Sequence, residues 1–315
     1  MVTPATADTI YEPVVGWPLI PHPMSFHEAT SVAVDSQDRV YIFNRGAWPM
    51  MVFDKGGQFI NTWGTREDFG RPHSVTVDSE DNLYLADGNH TVHKRTQTGE
   101  PIFILGERDN PAPAHSGKPF NSPTDVAIHP ATGDLFVSDG YHNSAVHRFD
   151  PSGRHIMSWG EPGTAPGQFS LPHNLCMLGD DRVLVCDREN FRLQVFTTDG
   201  EFVSQVICHR AQAATAGKGE DTNIYVAQGR PPVLMEGVPR LGRRVVIYNR
   251  DLQQVLQIGN DMGGEGPDQF ISPHSIAVDS EGSIYVAEVS YTAHGSRLDP
   301  PREVISLRKW QRVHG

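Results

Sequence analysis

Residues 72–89 read PHSVTVDSEDNLYLADGN, an alternating strand, a polar turn and a second alternating strand. The phrase returns as PHNLCMLGDDRVLVCDREN at 172–190 and as PHSIAVDSEGSIYVAEVS at 273–290. Related copies are ATSVAVDSQDRVYIFNRG at 29–46 and PTDVAIHPATGDLFVSDGYHN at 123–143, with a weaker TNIYVAQG at 222–229. A second pair of alternating runs follows, as in MMVFDKGGQFINTWG at 50–64, AVHRFDPSGRHIMSWG at 145–160, LQVFTTDGEFVSQVI at 193–207 and VVIYNRDLQQVLQIG at 245–259. DKGG, DPSG and TTDG are hairpin turns between period-2 segments.

Each unit is thus four short antiparallel strands in roughly 45–50 residues, the size of a propeller blade. The even period predicts an all-β fold, a six-bladed β-propeller starting at residue 29; a two-sheet sandwich would not explain that period. No segment holds a 3.6-residue apolar spacing, so helix should be nearly absent. One propeller is expected over 29–315, with residues 1–28 as an N-terminal extension in which 9–20 helps to close the ring. Two inserts break the pattern, 209–243 and 288–303. Long inserts in a repeat protein usually serve one functional face; the polar piece 211–220 reads instead as disordered surface decoration.

Bulk properties narrow the function. The 315 residues carry 26 Lys+Arg against 38 Asp+Glu, a formal charge of −12, which disfavours nucleic acid and anionic membrane as partners. Hydrophobic residues are 38%, with 30 Gly and 24 Pro, the balance of an all-β chain with many tight turns. The first residues show neither the basic nor the apolar region of a secretory signal, and no apolar run is long enough to span a membrane. Cys176, Cys186 and Cys208 are an odd set in a long chain. They read as reduced thiols packed as small apolar groups, which points to the cytoplasm. A small-molecule substrate is the expected partner; oligomeric state is not legible.

The repeat exposes a second regularity. His73, His173 and His274 stand 100 and 101 residues apart, each after a proline at the head of the first strand of blades two, four and six. Blades one and three carry Thr30 and Thr124 at that place. In a six-bladed ring alternate blades are about 120° apart, so three such imidazoles meet on the axis. Three imidazoles with an open fourth position suit catalytic Zn²⁺, although other divalent transition metals also accept nitrogen ligands. The other twelve histidines show no such pattern. Arg45, Tyr141 and Arg188 each follow the second strand of their blade, at the end where the first strand begins, so they could surround the metal. Asp87, Asp139 and Asp187 recur too regularly for catalysis and read as turn-forming residues.

PGQFSLPHNL, PDQFISPHSI and DRENFRLQVFTTDGEF resemble the NHL repeat. With PTDVAIHPATGDLFVSDGYHNS they are similar to peptidyl-α-hydroxyglycine α-amidating lyase, from about residue 40 onward. The resemblance implies a six-bladed propeller with zinc on three Pro-His histidines, which are His73, His173 and His274. It implies a catalytic tyrosine in SDGY, Tyr141, and active-site arginines in RG and DREN, Arg45 and Arg188. It also implies a structural calcium with a carbonyl ligand from Val75. Ser275 stands where that family has an acidic calcium ligand, so calcium should bind weakly or not at all. Ser272 replaces a methionine of the substrate pocket, and His142 and Val195 replace disulfide cysteines.

The implied reaction splits the N–C bond of a carbinolamide, R–CO–NH–CH(OH)–COO⁻, into an amide and glyoxylate. Its needs are a metal to acidify the hydroxyl, a base such as tyrosine in cationic surroundings, and cations for the carboxylate. The expectation is therefore a metal-dependent lyase acting on a small α-hydroxy-amide or related adduct, with Arg45, Arg188 and Ser272 contacting substrate. Two alternatives stay open: a metal-dependent hydrolase or hydratase of a small ester, lactone or amide, and a non-catalytic NHL scaffold.

Overall fold

In the computed structural model, which describes residues 2–260 and 262–313, the strands form six four-stranded antiparallel sheets, the blades of a six-bladed β-propeller. The helical content is small: among the described residues one four-residue α-helix, Ser290–Ala293, and three short 3₁₀ turns. The chain divides into two compact units, Glu67–Ala214 and the pair Met1–Arg66 with Thr215–Gly315.

The first unit holds three blades. Their inner strands are Pro72–Val77 in blade two, Pro123–Ile128 in blade three and Pro172–Leu178 in blade four. Period-2 alternation gives each sheet two apolar faces, and each face packs on the next blade. Tyr84, Ala86 and Val92 of blade two bury against Val126, Leu135 and Val137 of blade three. Ala127, Phe136 and Val146 on the opposite face of blade three bury against Leu175, Val183 and Phe196.

The other unit holds blades one and six and most of blade five. Blade six is completed from the far end of the chain: Ile10–Pro13 pairs antiparallel with Leu307–Val313 as its outermost strand. Trp17 then caps the contact between blades one and six, packing on Phe53 and Tyr285.

One expectation fails. Residues 211–220 are not surface decoration: Ala211–Ala216 is the inner strand of blade five, and its first four residues are buried. AQAATA has a single β-branched residue, Thr215, and is otherwise alanine and glutamine, so propensity concealed it; its pairing with Ile224–Gln228 overrides the weak local preference. The insert in this blade is therefore only the connection from 229 to 243. That stretch and 289–306 both join the second strand of a blade to the third.

A bulge recurs at the head of the inner strands. The ladder skips one residue between Ala29 and Ser31, Pro72 and Ser74, Pro123 and Asp125, Pro172 and Asn174, and Pro273 and Ser275. The skipped residues are Thr30, His73, Thr124, His173 and His274. A bulge re-aims the side chain it carries, so the position that makes the sequence repeat conspicuous is also the one freed from the ladder.

Candidate metal centre

His73 and His173 occupy their bulges with 2% and 1% of their surface exposed. Each ring is clamped by the backbone of the following blade. His73 Nδ1 lies 2.6 Å from the carbonyl of Thr124, and His173 Nδ1 lies 2.7 Å from that of Gln212. A carbonyl only accepts, so Nδ1 carries the proton in both rings and Nε2 carries the lone pair. This is the tautomer and the support that metal-bound imidazoles use. In the other unit His274 is built identically, with Nδ1 2.7 Å from the carbonyl of Thr30. His73, His173 and His274 are each buried, and each is of a type that could hold a metal ion. The donor set, three neutral imidazoles each presenting Nε2, fits a divalent transition metal such as zinc.

Tyr141 sits against His73 and His173. Its turn is brought in by Gly140, where a Cβ would overlap the Pro172 carbonyl, so only glycine permits the approach. The hydroxyl is 3.1 Å from His73 Nε2 and 3.2 Å from His173 Nε2. The two imidazoles stand edge-on to one another, ring centroids 4.9 Å apart. The phenol oxygen thus touches the same nitrogen on both rings that a metal would use.

Two guanidinium groups lie over the Tyr141 ring. Arg188 is 5.7 Å from its centroid, held by Glu189 at 2.8 Å and by the Gln212 side chain at 3.2 Å. Burial alone would raise the Glu189 carboxyl, but Arg188 and Arg210 hold it below the ordinary range. Arg71, at 5.5 Å, is the second cation, and the sequence reading did not single it out. The signal was present: it precedes the Pro-His phrase of blade two, where blades four and six have Leu171 and Ser272.

A family model for the NHL repeat matches residues 120–149 and 169–196, parts of the two blades that carry Tyr141, His173 and Arg188. The peptidyl-glycine alpha-amidating monooxygenase B of Xenopus laevis is 30% identical over 301 residues, 84% of this chain and 33% of its own. The peptidyl-alpha-hydroxyglycine alpha-amidating lyase 1 of Drosophila melanogaster is 31% identical over 306 residues, 83% of this chain and 55% of its own. The chain is similar to these proteins and carries NHL repeats in two of its blades. It spans about a third of the length of the amidating monooxygenases it matches. NHL repeat-containing protein 3 of Homo sapiens is 28% identical over 310 residues, 90% of this chain and 83% of its own. Among solved structures, a streptogramin B lyase superposes with a TM-score of 0.59 over 97% of this chain and 98% of its own, at 12% identity, a likeness of fold.

Other expected site residues lie in the unit that holds His274. Arg45 is anchored there by Glu28 at 2.6 Å, and Glu28 in turn accepts from the Thr292 backbone and hydroxyl. Burial works against the Glu28 charge, yet Arg45 and Thr292 keep its carboxyl below the usual range. Ser272 is buried two residues before His274, its backbone N–H donating to Glu288. Ser275 is tied to Ser31, the two hydroxyls 3.0 Å apart.

The residue after each bulge also forms a polar row in the first unit. Asp125 accepts from the Asn174 side chain and the Leu175 N–H, and burial pushes its carboxyl up to about 7. Sequence reasoning passed over it, although Asp directly after Thr124 in PTDV marked it. Asp87, Asp139 and Asp187 are buried and structural: each accepts backbone N–H groups just ahead of its own blade's inner strand, fixing the approach to the bulge. The cysteines are free; burial raises the Cys176 thiol to about 12 and the Cys186 thiol well above its usual value.

Proposed function

We propose that this propeller is a metal-dependent lyase that cleaves the N–C bond of a small α-hydroxy-amide, releasing an amide and glyoxylate. The observation that carries the reading is the Tyr141 hydroxyl, 3.1 and 3.2 Å from Nε2 of two histidines whose tautomers the backbone has set. His73, His173 and His274 would hold the metal. A divalent ion there supplies the positive charge that makes a substrate hydroxyl acidic.

The remaining roles belong to the chain's own groups. In the reaction the O–H bond breaks, a C=O bond forms, the C–N bond breaks and the departing nitrogen gains a proton. Tyr141 Oη takes the hydroxyl proton, being the protein oxygen that borders the metal-ligand nitrogens. Arg188, braced by Glu189 and Gln212 with its guanidinium 5.7 Å from the centre of the Tyr141 ring, takes the substrate carboxylate. Arg45 and Ser272 are the proposed substrate contacts of the other unit; Glu28 partly neutralises Arg45, which suits it to orienting a carboxylate more than to binding it tightly.

Zinc-loaded protein incubated with N-acyl-α-hydroxyglycines should release glyoxylate and the free amide together. Absence of both products, with esters or lactones hydrolysed instead, would transfer the site to the hydrolase reading. A non-catalytic NHL scaffold is the other reading, and it predicts neither bound metal nor turnover.

A further inference from the structure

We propose that Arg71 is a specificity residue that, with Arg188, binds the carboxylate of the substrate across Tyr141. The inference rests on the lyase reading for the identity of the substrate, but its geometry is independent of it. Arg71 follows a glycine and precedes the His73 bulge, and its backbone is pinned: its N–H donates to Asp87 at 2.7 Å and its carbonyl accepts from Gly88 at 2.9 Å. Its aliphatic stem lies across Gly88, where a Cβ would come within 2.7 Å of the Arg71 Cδ. A larger residue at 88 would push the stem away. The stem therefore directs the guanidinium towards the next blade, 5.5 Å from the centre of the Tyr141 ring.

The two cations on that ring differ in their partners. Arg188 has Glu189 beside it. Among the described residues the Arg71 guanidinium meets the aromatic ring and no carboxylate, and it is exposed to solvent. A cation–π contact at an exposed position is weak, so it does not account for a pinned, uncompensated guanidinium beside the Tyr141 ring. An anion does. A planar guanidinium matches a carboxylate in two parallel hydrogen bonds, which a point charge cannot reproduce. A groove of about 350 Å³ opens from Tyr141 between Leu171, Glu189 and Asn190. That volume, at the small end of ligand sites, suits a short acyl group on the other side of the scissile bond. The substrate class is therefore a free α-hydroxy acid amide with a small acyl group, in preference to its ester.

The test compares wild type, Arg71→Gln and Arg71→Lys on an N-acyl-α-hydroxyglycine and on its methyl ester, with zinc present. Arg71→Gln should raise KM for the acid about 10–100-fold, and by at least about tenfold more than for the ester, with Arg71→Lys recovering part of the loss. A KM shift within about twofold, or an equal shift on acid and ester, overturns the proposal. Calorimetric binding of hippurate, which has the carboxylate but no hydroxyl to react, supplies a readout free of turnover. Binding to wild type that is lost in Arg71→Gln supports Arg71 even if no glyoxylate is ever released. Equal binding to both proteins, or binding to neither, overturns it.

Discussion

At the scale of single residues, the account turns on atoms whose roles the backbone assigns. The histidine tautomers follow from carbonyl groups that can only accept, so Nε2 carries the lone pair that a metal would use in each of the three rings. Tyr141 tests the chemistry most sharply, because phenylalanine keeps the ring under Arg71 and Arg188 and removes only the oxygen. A positioned general base contributes about 10²–10⁴-fold. Tyr141→Phe should lower glyoxylate release by that much while metal content and thermal stability stay close to wild type. Turnover within about twofold of wild type would make Tyr141 a packing residue and remove the catalytic assignment.

At the scale of strands and blades, the bulge is the device that turns a repeat into a site. Every copy of the phrase is a legible strand because β-branched and aromatic residues alternate, and the Pro-His pair was visible because it repeats in alternate blades. What the sequence concealed follows from the same physics. AQAATA is a strand only because its neighbour pairs with it, so no local signal announced it, and with it went Gln212, whose carbonyl clamps His173 and whose amide meets Arg188. Arg71 escaped because it belongs to a single blade, and a search for repeated positions discards what occurs once. Asp125 was discounted in the same way. The joining of the chain's two ends makes its own prediction. Ile10–Pro13 pairs with Leu307–Val313, and the Tyr11 hydroxyl lies 3.3 Å from that of Tyr225 in blade five. Deleting residues 1–13 removes these bonds and exposes a strand edge, which should lower Tm by roughly 5–15 °C in a scanning measurement. A change of less than about 2 °C would mean that closure depends on other contacts.

For the molecule as a whole, stability and metal binding are the measurable consequences. Asp125 binds its proton more tightly in the folded state, near 7, than in the unfolded chain, where aspartates titrate near ~4. Its protonated form thus favours folding fully below about pH 4, and that contribution is lost as pH rises from about 4 to about 7. Asp125→Asn carries no charge to bury, so its Tm relative to wild type should climb by several degrees across that window and level off above it. A difference that stays flat with pH would show that the Asp125 charge is compensated in the fold. Metal content tests the centre itself. Purified protein equilibrated with zinc and then freed of excess should retain about one ion per chain by elemental analysis, and His173→Ala should retain almost none while its β-sheet circular dichroism is unchanged. Full occupancy in a folded His173→Ala protein, or no retained metal in the wild type, would contradict the three-histidine centre.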